Sequence, residues 1–284
     1  MTSSERNFAT TIVDGEEVYC LQKREVPLIA KDVRDYLKSG VELRKGDVVF
    51  DVGANIGLFS RAVSRLLESN VRIYAFEPIP QIFAVLEANL DRLSLENVTA
   101  MPCGLSSKAE ISTFYYYPAV PVYSGKEGVS ASERNEIKQW WLEHLDLVKS
   151  YEGSSRLHKL LCSMPAWLLS PIAGAMVARS YRPSKVDCQM RTLSEVMREE
   201  HLERIDLLKI DAEKSEVDIL RGISDEDWPR ISQVIVEAHT NELREEATHL
   251  LRKYGFDDIS EEQSGIFEGS SISNLIARRK GYSR

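Results

Sequence analysis

Two carboxylates and a glycine loop make the first chemical signature of the chain. Asp51 ends the apolar run "VVFD", the loop Gly53-Ala54-Asn55-Ile56-Gly57 follows, and Glu77 ends the next apolar run, "VRIYAFE". An acid at a strand tip can accept hydrogen bonds from a pair of ribose hydroxyls, and a glycine loop at the neighbouring tip lets a ligand approach the backbone. A dinucleotide would need G-x-G-x-x-G, because its pyrophosphate demands several backbone N–H groups at close range. Ala54-Asn55 offers no middle glycine in that register. S-adenosylmethionine (SAM) has an adenosine, a sulfonium and an amino-acid head but no phosphate. It suits the looser loop better, with Asp51 near its ammonium and Glu77 on its ribose.

A second set of reactive groups comes later. Lys209 and Asp211 close "IDLLKID", and Glu237 and His239 close "QVIVEAH". Residues two apart on a strand share a face, so adjacent strands would bring the two pairs together. Methyl transfer from a sulfonium is an in-line displacement that rewards alignment, and an alcohol acceptor also needs a base for its proton. His239 is the expected base, with Glu237 or Asp211 orienting its ring. Asp211, Glu237 and His239 also suit a divalent cation, which would hold and acidify a hydroxyl. Glu213, Lys214 and Glu216 read instead as a solvated helix start, where the helix dipole favours acids.

These groups need a scaffold, and the chain alternates accordingly. Helical spacing over 32–43 puts Val33, Tyr36, Leu37 and Val41 on one side. Strands are expected at 48–52, at 71–77 before Pro78, and within "NVTAMPCGLS", with helices over 58–67 and 81–93. Such alternation implies a parallel, doubly wound α/β sheet. The rhythm breaks after "AEISTFYYYP": residues 118–187 show helix-like stretches and no clear strand, as expected of an insertion folded over the sheet. Tyr115-Tyr116-Tyr117 and Tyr123 are either walls of an acceptor pocket or core, and Trp140-Trp141 and Trp167 suit a greasy cover. Alternation then resumes, and "GFDDISEE…SISNLIARR" reads as two final strands. Residues 1–46 are expected to form a helical lid and 47–284 the main domain.

Composition narrows the classes. A chain of 284 residues with 43% hydrophobic and 28% charged residues is expected to form one large globular domain. Its formal charge of −8 argues against non-specific nucleic-acid binding, which needs a basic face. Cys20, Cys103, Cys162 and Cys188 lie far apart with no zinc spacing, as expected of buried thiols in a reducing compartment. The first residues contain no apolar signal core, so a cytoplasmic protein is expected. Residues 160–178 carry no formal charge and are long enough on paper to cross a bilayer. Pro165, Pro171 and Gly174, and a position between two halves of one sheet, favour a buried lid or an oligomer face such as a homodimer contact.

Together, "VVFDVGANIGLFS", "RIYAFEPIPQIFAVLEANL", "IDLLKIDAEKSEVDILRGI" and "QVIVEAHT" resemble the FkbM family of class I SAM-dependent methyltransferases. The likeness is greatest to members serving polyketide and nonribosomal-peptide pathways, which "RTLSEV", "DEDWP" and "FYYYPAVPVYSG" also resemble. It spans residues 26–277 and departs at Lys214, where many relatives have glycine. The resemblance implies a Rossmann-like, seven-stranded, mostly parallel sheet with an antiparallel last strand and a helical insertion between strands three and four. It implies SAM contacts from Asp51, Gly53, Asn55 and Gly57, with Glu77 on the ribose and Cys103-Gly104 near adenine. The implied reaction is O-methylation of a secondary-metabolite hydroxyl, either on a free small molecule or on a carrier-protein-tethered one. N- or C-methylation by the same fold and a non-catalytic SAM-binding scaffold are the alternatives, and the missing glycine disfavours a nicotinamide oxidoreductase.

Overall fold

The strand β3 (Asp47–Val52) is buried along its whole length, which is why it reads as an apolar run with an acid inside it. In the computed structural model, which describes residues 8–143, 166–263 and 272–279, this strand is central to a seven-stranded sheet. On one side lie β4 (Val71–Phe76) and β5 (Val98–Met101); on the other lie β9 (Leu207–Ile210) and β10 (Gln233–Ala238), all parallel. β12 (Ser273–Arg279) then pairs antiparallel with β10 and carries β11 (Phe256–Glu262) on the edge. The expected mostly parallel sheet with an antiparallel last strand is therefore present. The chain order reverses between β3 and β9, and a crevice opens beyond their carboxyl ends.

The pleat sorts the two faces. Val49 packs with α2 (Leu58–Leu66) and α3 (Pro80–Arg92), whereas Val48, Phe50 and Val52 pack with α6 (Leu193–Glu199), α7 (Glu216–Arg221) and α8 (Asn241–Lys253). By the same alternation Asp51 shares the face of Val49.

The N-terminal segment is not purely helical. A hairpin, β1 (Ala9–Val13) and β2 (Glu16–Cys20), turns at Asp14-Gly15 with φ of +48° and +85°, and precedes α1 (Val26–Lys38). Asp-Gly suits such a turn because both central residues need positive φ. Buried Arg61 pins the hairpin to α2, donating to Glu16 (2.7 Å) and to the carbonyl of Val13 (2.8 Å). The Asn89 amide mimics a strand partner, accepting from Tyr19 N (2.7 Å) and donating to Tyr19 O (3.0 Å), and also holds Ile56 O in the glycine loop (2.9 Å). α1 starts before the expected 32–43 and stops at Ser39-Gly40, where Gly40 takes φ +80°.

The expected strand in "NVTAMPCGLS" divides at Pro102-Cys103. β5 stays in the central sheet, while β6 (Gly104–Leu105) joins β7 (Glu110–Tyr116) and β8 (Ser184–Arg191) in a second sheet. Residues 184–187, expected in the insertion, thus belong to β8. β7 and β8 run antiparallel from Glu110 opposite Met190 to Tyr116 opposite Ser184, so the insertion departs and returns at one seam. It includes α4 (Ala131–Glu143) and α5 (Ala166–Ser180), with Tyr117, Val177 and Tyr181 buried together. Residues 160–165 of the charge-free stretch, Cys162 and the side chains of Trp141 and Trp167 lie outside the described residues. Among the described residues, no helix is long and apolar enough to cross a membrane.

Candidate active site

A cavity of about 300 Å³ opens beyond the carboxyl ends of β3, β9 and β10, walled by α1 and by residues 121–125. Of the expected SAM residues, Gly53, Asn55, Glu77 and Gly104 line it; Asp51, Gly57 and Cys103 do not. Cys103 is buried among Leu105, Leu193 and Val196, and Gly57 begins α2 with φ +86°. The cavity is also lined by Asp211, Glu237 and His239, together with Lys209, Glu213 and the α1 side chains Asp32 and Tyr36.

Asp51 lies behind the loop, fully buried, and accepts from Ser60 Oγ at 2.7 Å. The ammonium nearest to it belongs to the protein: Lys209 Nζ is 3.3 Å from its Oδ1. That ammonium also lies 3.4 Å from Asp211 Oδ2 and donates to Gly53 O at 3.0 Å. Burial would push the lysine down, but Asp211 and Asp51 outweigh it and hold the ammonium charged. The clue to this pairing was an acid and a lysine at matched positions of two interior strands, since Asp51 and Lys209 are direct ladder partners.

Gly53 has two reasons to be glycine. Its φ is +73°, and a Cβ would sit 1.7 Å from the Asp211 carbonyl oxygen. Glu77 is buried against the cavity, and burial pushes its carboxyl up to about 8 against the pull of the Ile79 and Asn55 N–H groups.

His239 is held between β10 and the first turn of α8, where Thr240 Oγ1 accepts from Leu243 N (3.3 Å). The carboxylate nearest the ring is that of Glu216, and the expected partner Glu237 lies beside the other nitrogen. Glu216 Oε1 lies 3.0 Å from Nδ1, while Nε2 faces Glu213 Oε2 at 3.5 Å and Glu237 Oε1 at 3.6 Å. The solvated reading of this cluster fails for Glu216, which is 0% exposed and also accepts from Lys214 N (3.0 Å). Burial disfavours the imidazolium, yet Glu213, Glu216 and Glu237 outweigh it and raise His239 well above the ordinary range.

Tyr36 was expected only as part of an apolar helix face. Its hydroxyl donates to Glu237 Oε2 at 2.5 Å and lies 3.3 Å from Asp211 Oδ2, so α1 is built into the cluster of acids around His239. Burial and then Asp211 raise both Asp32, to about 7, and Glu237; burial also brings Glu213 to about 7. Asp211, Glu237 and His239 each offer a ligand atom within 4.8 Å of the others.

Residues 51–259 match the family described as "Methyltransferase FkbM domain". The chain is 36% identical over 247 residues to 31-O-demethyl-FK506 methyltransferase FkbM of Streptomyces tacrolimicus, covering 87% of this chain and 86% of that one. It is 32% identical over 278 residues to methyltransferase sdnD of Sordaria araneosa, covering 94% and 95%. Against AMB antimetabolite synthetase AmbE of Pseudomonas aeruginosa identity is 33%, over 99% of this chain but 13% of that much longer protein. The match takes in both the glycine loop and the strand tips bearing Asp211, Glu237 and His239, and the chain belongs to the FkbM family of methyltransferases.

Proposed function

We propose that the protein is a SAM-dependent O-methyltransferase acting on a hydroxyl of a polyketide or peptide intermediate, free or borne on a carrier protein. The observation that carries the reaction type is the imidazole of His239, fixed from behind by buried Glu216 with Nε2 turned toward Glu213 and Glu237. A histidine anchored at one nitrogen is arranged to take a proton at the other. The acceptor class is suggested by the names of the FK506 methyltransferase and the AMB synthetase.

The cavity has the features SAM requires. Glu77 presents a buried carboxyl group suited to the ribose, and Gly53 and Asn55, at φ +73° and +51°, line the cavity beside it. When bound, SAM supplies an electrophilic methyl group. The protein's own part is to align the acceptor, exclude water and receive the hydroxyl proton at His239. α1 closes the reactive end as a lid, placing Asp32 and Tyr36 on the cavity wall.

Incubation with SAM and a panel of alcohols, read by mass spectrometry, tests the assignment. His239→Gln should lose about 100-fold or more in rate while still binding SAM. Full activity in that variant would favour N-methylation, since an amine needs less help from a base. A divalent cation on Asp211, Glu237 and His239 is a second reading, favoured by the convergence of their ligand atoms. It would occupy the nitrogen that the base needs, so chelation followed by metal re-addition separates the two.

A further inference from the structure

The loop between β9 and α7 carries Glu213, which faces His239 Nε2, and its backbone is wound the costly way. Glu213 and Lys214 have φ of +46° and +73°, a region that residues with side chains avoid. Glycine would adopt it freely, yet position 214 holds a lysine whose side chain is engaged. Lys214 Nζ lies 2.6 Å from Glu133 Oε1 on α4 of the inserted segment. Glu133 is itself fixed, its Oε2 accepting from Ser130 N (2.7 Å) and its own N–H donating to Ser130 Oγ (3.2 Å). Burial would raise that carboxyl, but the bonds from Lys214 and Ser130 outweigh it and keep it ionised.

The same segment meets the loop nearby. A Cβ on Gly125 would come within 2.9 Å of the Glu213 Cβ, and Lys126 Nζ lies 3.8 Å from Asp218 Oδ2 in α7. The insertion therefore presses on the loop at Glu213, grips it at Lys214 and reaches the helix beyond. Strained backbone persists where its surroundings over-determine it; here Glu216 holds the Lys214 backbone N–H at 3.0 Å and the inserted segment holds its side chain.

We propose that Lys214 is a positioning residue: through its ion pair with Glu133, the insertion holds the loop in the left-handed form that sets Glu213 3.5 Å from His239 Nε2. This deepens the O-methyltransferase reading, and it rests on His239 and Glu213 standing at the acceptor end.

Lys214→Gly separates backbone fit from grip, because glycine accepts the conformation while ending the ion pair. We expect it to melt no lower than the wild type and to bind SAM equally well. Its kcat should fall about tenfold or more, with Glu133→Gln behaving alike and the reversed pair Glu133→Lys/Lys214→Glu regaining much of the loss. Wild-type kcat in Lys214→Gly, or no gain in the reversed pair, overturns the proposal. Hydrogen–deuterium exchange provides a readout independent of chemistry: both single variants should speed exchange in 211–216. Unchanged exchange there overturns the latch, whereas a wild-type enzyme that methylates no alcohol overturns the reaction assignment and leaves the exchange result standing.

Discussion

Lys209 stands directly across from Asp51 in the β3–β9 ladder, and its ammonium lies 3.3 Å from that carboxylate. The same charge reaches Asp211 at 3.4 Å, so one buried cation joins the base of the glycine loop to the acids beyond β9. Removing it strands a carboxylate that has no access to water. Lys209→Met should destabilise the protein by about 3–5 kcal/mol, with Lys209→Met/Asp51→Asn recovering part of that. Urea unfolding measures both, and a single-variant loss below about 1 kcal/mol would show the ammonium to be dispensable.

The pair Glu216–His239 makes a prediction about pH. Burial works against the imidazolium, but the surrounding carboxylates hold it well above the ordinary imidazole value of about 6.5. A base must be unloaded to act, so kcat/KM should climb with pH through a value above that range. Glu216→Gln removes one of the carboxylates that hold the proton, and the limb should move to lower pH while kcat drops. An acid limb at or below about 6.5 in the wild type would count against His239 as the base.

Glu25 gives a prediction about stability. It is 7% exposed at the start of α1, and burial raises its carboxyl from 4.5 to about 8. A raised folded-state value favours the native state below 4.5, and that advantage drains away as pH climbs through about 8. Glu25→Gln should therefore match the wild type near pH 4 and melt higher at pH 9, by about 2–4 °C for each kcal/mol recovered. Equal melting temperatures at both pH values would contradict the assignment.

At Gly53 the outcome should be severe. A methyl group there would meet the Asp211 carbonyl oxygen at 1.7 Å, on a backbone that disfavours any side chain. Gly53→Ala should lose both thermal stability and SAM affinity in calorimetry. Tight SAM binding in a stable variant would mean the two strand tips can move apart.

What was legible locally and what was not divides along a physical line. β3 and β4 announce themselves because interior strands are apolar throughout, and the acids Asp51 and Glu77 stand out against that background. The Asp14-Gly15 turn was equally visible in principle, since its geometry is set by two adjacent residues. Lys209 and Glu216 were not, because a buried charge is intelligible only beside its partner. Asp51 lies in a different strand, where register pairs it with Lys209, and His239 follows a third strand and meets Glu216 only through the packing of α7. Tyr36 illustrates the intermediate case: helical spacing marks its inward face, but only the packing of α1 reveals that Glu237 awaits its hydroxyl.

The seam between β7 and β8 has a consequence for the length of the insertion. Seven consecutive rungs, ending with Tyr116 opposite Ser184, staple together the two points where the inserted chain leaves and rejoins. Chain added or removed beyond that staple should be tolerated cheaply, because the cost of a longer loop rises only with the logarithm of its length. The tolerance stops at Glu133, whose hold on Lys214 ties the near part of the insertion to the strand tips.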